Sequence, residues 1–127
     1  MSQRDSGYKR KELDDYETPA WVTDALMPHL PRRPHLVWEP ACGSGMMEDA
    51  LRAHDINVIG TDIKQSFDFL TYQPVVDPKI DAIITNPPYT LADKFIELAL
   101  CLTEPRYGLV AMLLRTDFDH AMGRNHL

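Results

Sequence analysis

Apolar positions along the chain gather into short runs separated by polar loops, and the runs alternate with stretches of helical period. His35–Glu39 (HLVWE) reads as a strand, followed by the loop PACGSG and a helix from about Met46 to His54. Asn57–Thr61 (NVIGT) reads as a second strand ending at Asp62. Residues 63–79 are irregular, with a short strand expected near residues 67–70. Ile80–Thr85 (IDAIIT) is a strong strand, followed by NPPY and a helix from Leu91 to about Leu102. Tyr107–Leu114 (YGLVAMLL) is the most apolar strand of the chain. Ahead of these, Thr18 is expected as a helix N-cap with Pro19 in the first helical position. Trp21, Val22, Ala25, Leu26 and Leu30 would share one helical face, Pro28 would bend or end that helix, and Pro31 and Pro34 would close it.

This alternation predicts an α/β protein: a doubly wound, mostly parallel sheet covered on both faces. In a sheet of order 3-2-1-4-5, IDAIIT lies beside HLVWE where the strand order reverses. Ligands bind outside the strand ends at that crevice. Residues 1–15 are polar, lack apolar period and read as a flexible arm; residues 16–115 form the core, and residues 116–127 a short tail without strand pattern.

The composition narrows the class. With 127 residues and 44% hydrophobic content, the chain suits one globular domain. No run approaches the roughly 20 apolar residues of a membrane helix, and the N-terminus lacks a signal-peptide apolar run, so a cytoplasmic protein without a membrane partner is expected. Cys42 and Cys101 are too few for a disulfide framework, and no Cys/His spacing reads as a metal site. The net charge of -6 is low for a nucleic-acid enzyme. Arg4, Lys9, Arg10 and Lys11, and then Arg32, Arg33 and His35, form two small basic groups, which read more readily as a solvated tail and a polar turn than as phosphate contacts.

Two motifs carry candidate chemistry. In Glu39-Pro40-Ala41-Cys42-Gly43-Ser44-Gly45, glycines between a strand and a helix allow close backbone approach to a ligand. Alone, the loop is equally an ordinary tight turn. Asp62, 17 residues after Gly45 at the next strand's end, stands where nucleoside-binding sheets accept ribose hydroxyls. The longer dinucleotide glycine pattern is absent, since Met46, Met47 and Glu48 follow, so a nucleoside without pyrophosphate fits better. The second motif is Asn86-Pro87-Pro88-Tyr89. An exocyclic amine is a poor nucleophile because its lone pair is delocalised. The Asn86 side-chain oxygen and the Pro87 carbonyl could accept its two hydrogens and favour a pyramidal nitrogen, the prolines holding those acceptors in place. Tyr89 offers a ring face for a planar group such as a flipped base.

EPACGSG, the strand-end Asp62, the pair Asp68-Phe69 and NPPY together resemble the motifs of class I S-adenosylmethionine-dependent DNA adenine-N6 methyltransferases, and Thr18-Pro19 resembles the N-terminal motif of their γ ordering. The resemblance spans roughly residues 16–115. It implies a Rossmann-like fold, S-adenosylmethionine as cofactor (S-adenosylhomocysteine as product), DNA as partner, and transfer of methyl to adenine N6, in a restriction-modification or prophage setting. It would place Thr18 and loop 41–45 at the cofactor's methionine part, with Glu39 near its amino group. Asp62 would then meet the ribose, and Asp68 and Phe69 the cofactor's adenine, with Asn86, Pro87, Pro88 and Tyr89 as the catalytic site. For Asp68 and Phe69, a turn residue and plain core packing are the alternatives. Two further strands expected after YGLVAMLL are missing before Leu127, which suggests a fragment or a shortened relative. It also leaves strand 107–114 as an edge open to a homodimer or a partner chain. The competing expectations are a same-fold methyltransferase for a glutamine amide or an RNA guanine, and a cofactor-binding module that needs a partner for catalysis.

Overall fold

All four residues of Ala82–Thr85 are buried, and their apolar run follows from their place between neighbours in the sheet. In the computed structural model, which describes residues 17–65, 68–71, 78–106 and 108–114, this strand (β3) pairs in parallel with β1 (Leu36–Glu39) and β4 (Leu109–Met112). β1 pairs in turn with β2 (Asn57–Gly60), giving an all-parallel four-stranded sheet of order β2-β1-β3-β4. Parallel strands present all their C-terminal ends on one side, so Glu39, Gly60, Thr85 and Met112 lie along one rim.

Side chains alternate across the sheet and feed two cores. On one face Val37, Ala82 and Ile84 pack with Val58, Ile56 and the inner residues Met47 and Leu51 of helix α2 (Met46–Ala53). Leu26 of helix α1 (Ala20–Leu26) and Met27 of the following 3-10 turn close this layer. On the other face Trp38 and Ile83 pack against Phe69, Ile80, and Phe95 and Ala99 of helix α3 (Ala92–Thr103). Helices therefore cover both faces of a parallel sheet, as the apolar runs required. None of the described helices is long and apolar enough to cross a membrane.

The structure corrects four expectations. The five-strand order 3-2-1-4-5 is replaced by four strands, because no outer strand flanks β2 among the described residues. The segment expected as that strand contains a 3-10 turn, Phe69–Thr71. Asp68 Oδ1 accepts the Leu70 N–H at 3.1 Å, a local bond that favours a turn, and Phe69 is driven into the core, edge-on to Trp38 with ring centres 5.0 Å apart. Thr18 does not cap α1: the helix starts at Ala20 behind Pro19, and the Thr18 hydroxyl is engaged elsewhere. Finally, the inner face of α1 is turned by one position. Val22, Thr23 and Leu26 face inward, whereas Ala25 is exposed and Trp21 is 69% exposed. Positions 21 and 25 form one stripe four residues apart and rotate outward together.

The turn before β1 is fastened to the sheet by Asp81. Its carboxylate accepts the N–H groups of His35 and Leu36 at 3.0 Å each and pairs with Arg32 at 2.8 Å. Arg33 donates to the His54 carbonyl. The basic group around residues 32–35 thus ties the polar turn to its neighbours. The expected arm (1–15) and tail (116–127) lie outside the described residues, as does Tyr107.

Candidate functional site

A cavity of about 300 Å³ opens at the C-terminal rim of the sheet. Its walls come from the glycine loop after β1, the segment after β2, the segment after β3 and the N-terminal residues 17–18. The wide sequence spacing of these segments converges because parallel strands deliver their following loops to one side.

The loop after β1 is held by its own backbone. Ala41 N–H donates to Glu39 Oε2 at 2.7 Å, Cys42 N–H to the Thr61 carbonyl at 3.0 Å, Gly43 N–H to Asp62 Oδ2 at 2.8 Å and Gly45 N–H to the Cys42 carbonyl at 2.8 Å. Gly43 and Gly45 sit at φ +54° and +95°, a region that side-chain-bearing residues rarely occupy, which explains glycine at both. The four donors are therefore turned inward onto the protein. A phosphate-cradling loop instead aims such N–H groups at its ligand. These four N–H groups are therefore not available to a phosphate.

Glu39 is 2% exposed, yet no cation among the described residues neutralises it. Its Oε2 accepts both the Ala41 N–H and the Thr85 hydroxyl, each at 2.7 Å. Burial pushes its pKa up to about 8, the two hydrogen bonds pull it down, and the carboxylates of Asp62 and Glu48 push it up further. At that value the acid is mostly protonated at neutral pH. Asp62 holds Gly43 through Oδ2 and the Lys64 N–H through Oδ1 at 2.9 Å, and a carboxylate oxygen has a second lone pair for a ligand hydroxyl. Burial and the same acidic neighbours raise the Cys42 thiol to about 11, so it stays protonated and is no nucleophile at neutral pH.

Among the described residues, acidic side chains of Glu17, Glu39, Asp62 and Asp68 line the cavity against one basic side chain, Lys64. Apolar walls come from Met46, Met47, Ile63, Phe69, Leu91 and Phe95. The space therefore suits a ligand with an apolar or aromatic body and net positive charge.

Most residues expected at the site meet there. Thr18, Glu39, Pro40, Ala41, Cys42, Gly43, Asp62, Asp68, Phe69, Asn86 and Pro88 all line the cavity. Gly45, Pro87 and Tyr89 do not: Gly45 is buried as the N-terminal flank of α2, Pro87 is buried, and Tyr89 begins a 3-10 turn, Tyr89–Leu91. Among the polar contributors, three were not expected from the sequence. Glu17 bonds to the Ser44 hydroxyl, Thr85 bonds to Glu39, and Lys64 follows Asp62 along the wall. Thr85 directly precedes the NPPY motif, and its place at a strand end was the available signal. Glu17 gave none, because its role depends on a loop 27 residues away.

Asn86 Nδ2 donates to Thr18 Oγ1 at 2.9 Å, which joins the segment after β3 to the N-terminal segment. Comparison with family models, curated proteins and solved structures gives no significant match for this chain.

Proposed function

We propose that the chain is the cofactor-binding and catalytic core of an S-adenosylmethionine-dependent amino-group methyltransferase of Rossmann-like fold, acting on adenine N6 in DNA. The observation that carries this reading is the meeting of the glycine loop, Asp62 and Asn86 around one acidic cavity. The donor set fits such a cofactor. Among the described residues no donor reaches Glu39 Oε1, leaving it for an ammonium, and the surplus of carboxyl groups favours a sulfonium. Asp62 keeps lone pairs for ribose hydroxyls, and Phe69 with Ile63 offers apolar surface for an aromatic ring.

When bound, S-adenosylmethionine supplies an electrophilic methyl group. The protein's part is to prepare the attacking amine. With it bound, the Asn86 side-chain oxygen and the carbonyl of Pro87, a residue outside the cavity lining, would accept the two amine hydrogens and orient the nitrogen lone pair for attack. This stabilisation grows as positive charge develops on nitrogen, so it acts on the chemical step. Tyr89, outside the cavity lining, stacks the target base.

Calorimetry with S-adenosylmethionine and tritium transfer from labelled cofactor to DNA, RNA and protein test the reading together. Binding with label in DNA is expected. Label in RNA or protein alone would assign the alternative substrates, and binding without transfer would reduce the chain to a cofactor-binding module. Asn86→Ala should lower transfer about a hundredfold or more while affinity for the cofactor stays within a few fold. Asp62→Ala should weaken cofactor binding by about 1–3 kcal/mol.

A further inference from the structure

A carboxylic acid inside a protein keeps its charge only where a cation or enough hydrogen-bond donors stand in for water. Glu39 has donors but, among the described residues, no cation. Its Oε2 meets the Ala41 N–H, an obligate donor, and the Thr85 hydroxyl, each at 2.7 Å. Oε1 meets no donor of the described residues, although Glu39 is 2% exposed and lines the cavity.

The surroundings add negative charge. Asp62 after β2 and Glu48 of α2 both act on Glu39 through their carboxylates, and Cys42 on its own loop is a neutral thiol at neutral pH. From β3, Thr85 brings a hydroxyl rather than a charge, and from α3 the cavity receives the apolar Phe95. Glu17, Asp68 and Lys64 complete the charged lining among the described residues. Without a ligand cation the neutral acid is therefore favoured, burial raising its pKa to about 8.

We propose that Glu39 trades its proton for a ligand's ammonium group: the acid is neutral until that ammonium arrives at Oε1, and it then becomes a carboxylate while its proton passes to solvent. The O–H bond of the acid breaks with its electron pair left on the carboxylate, the proton goes to water or buffer, and an N–H···O contact to the ammonium takes its place. No bond of the ligand changes. The inference rests on the methyltransferase reading, in which the cofactor's amino-acid part carries the ammonium, and adds that cofactor binding is an exchange of cations. Protons then compete with the cofactor, so affinity falls as pH drops. A nucleoside without the ammonium gains nothing from this exchange.

The test is calorimetry of the wild-type chain with S-adenosylhomocysteine, which keeps the ammonium, lacks the sulfonium and cannot turn over. Titrations at pH 7 in phosphate and in Tris, buffers of different ionisation enthalpy, give the protons released, expected at about one per ligand bound. Affinity should tighten about tenfold per pH unit between about pH 6 and 7 and level off above about 8. 5′-Methylthioadenosine, which has the same adenosine but no amino-acid part, should bind with no proton release and no such slope. Glu39→Gln should bind S-adenosylhomocysteine more weakly, again with neither. Binding of S-adenosylhomocysteine to the wild type without proton release overturns the exchange and leaves the methyltransferase reading standing. The same holds if 5′-methylthioadenosine releases an equal proton, or if Glu39→Gln still releases it. No binding of S-adenosylmethionine, S-adenosylhomocysteine or 5′-methylthioadenosine at any of these pH values would sink the methyltransferase reading and the exchange with it.

Discussion

Asp81 and Glu39 are carboxylic acids at opposite ends of adjacent strands, and the protein treats them in opposite ways. Asp81 lies at the N-terminal side of the sheet. Its partial burial raises its pKa, but the Leu36 and His35 N–H groups and the Arg32 guanidinium outweigh that and hold it below the usual carboxylate range. Glu39, at the C-terminal rim, receives two hydrogen bonds but no cation from the described residues, and burial pushes it to about 8. The first acid is a finished contact. The second lacks such a cation among the described residues, and an acid buried in this way beside a cavity is a candidate functional group.

The largest expected effect concerns Glu39. Its folded pKa exceeds its unfolded one, so the folded state holds a proton that the unfolded state releases between about 4.5 and about 8. Stability is thus lost as pH rises through that window. Denaturant unfolding at pH 5 and pH 8 should differ by on the order of a few kcal/mol more in wild type than in Glu39→Gln. Equal pH dependence in the two proteins would erase the contrast. Asp81 should behave with the opposite sign. Its folded pKa lies below the unfolded one, so its contribution is present above the ordinary carboxylate pKa of 3.8 and disappears as pH falls through the lower folded value. At neutral pH, Asp81→Ala should cost about 2–3 kcal/mol, since it removes the acceptor of two backbone N–H groups. A cost under about 0.5 kcal/mol in thermal melts would make the Asp81 contact incidental.

A third buried polar group sharpens the distinction with the smallest effect. Thr23 is fully buried on α1, and its hydroxyl meets no partner among the described residues and lies outside the cavity lining. It has neither the donors of Asp81 nor the open space of Glu39. Thr23→Val should therefore be neutral or stabilise the chain by about 1 kcal/mol. A clear destabilisation would point to a hidden partner.

Much of this was legible in the sequence, for identifiable reasons. Each strand was marked by its apolar run, because β3 is covered on both faces, and the crevice followed because parallel strands bring EPACGSG and NPPY to one rim. The misreadings were local. Phe69 carries a strand-like side chain, but Asp68 bonds to the next turn and fixes a 3-10 geometry that composition does not reveal. Trp21 was counted inward because it is large and apolar, although one step of helix rotation places Thr23 inside instead. Thr18 looked like a cap because it precedes a proline, and only the distant Asn86 explains its hydroxyl. Asp81 went unnoticed inside IDAIIT, since its partners lie 45–49 residues earlier in the chain.

The inward-turned glycine loop has a consequence for discrimination among the adenine compounds of a cell. ATP and the nicotinamide dinucleotides share an adenosine with the proposed cofactor. Any of them entering this cavity would bring phosphate charge toward Glu17, Asp62 and Asp68, and would find the N–H groups of Ala41, Cys42, Gly43 and Gly45 already spent on the protein. On the proposed reading, these four N–H groups would offer nothing to a competitor's phosphates, a form of selectivity that requires no steric gate.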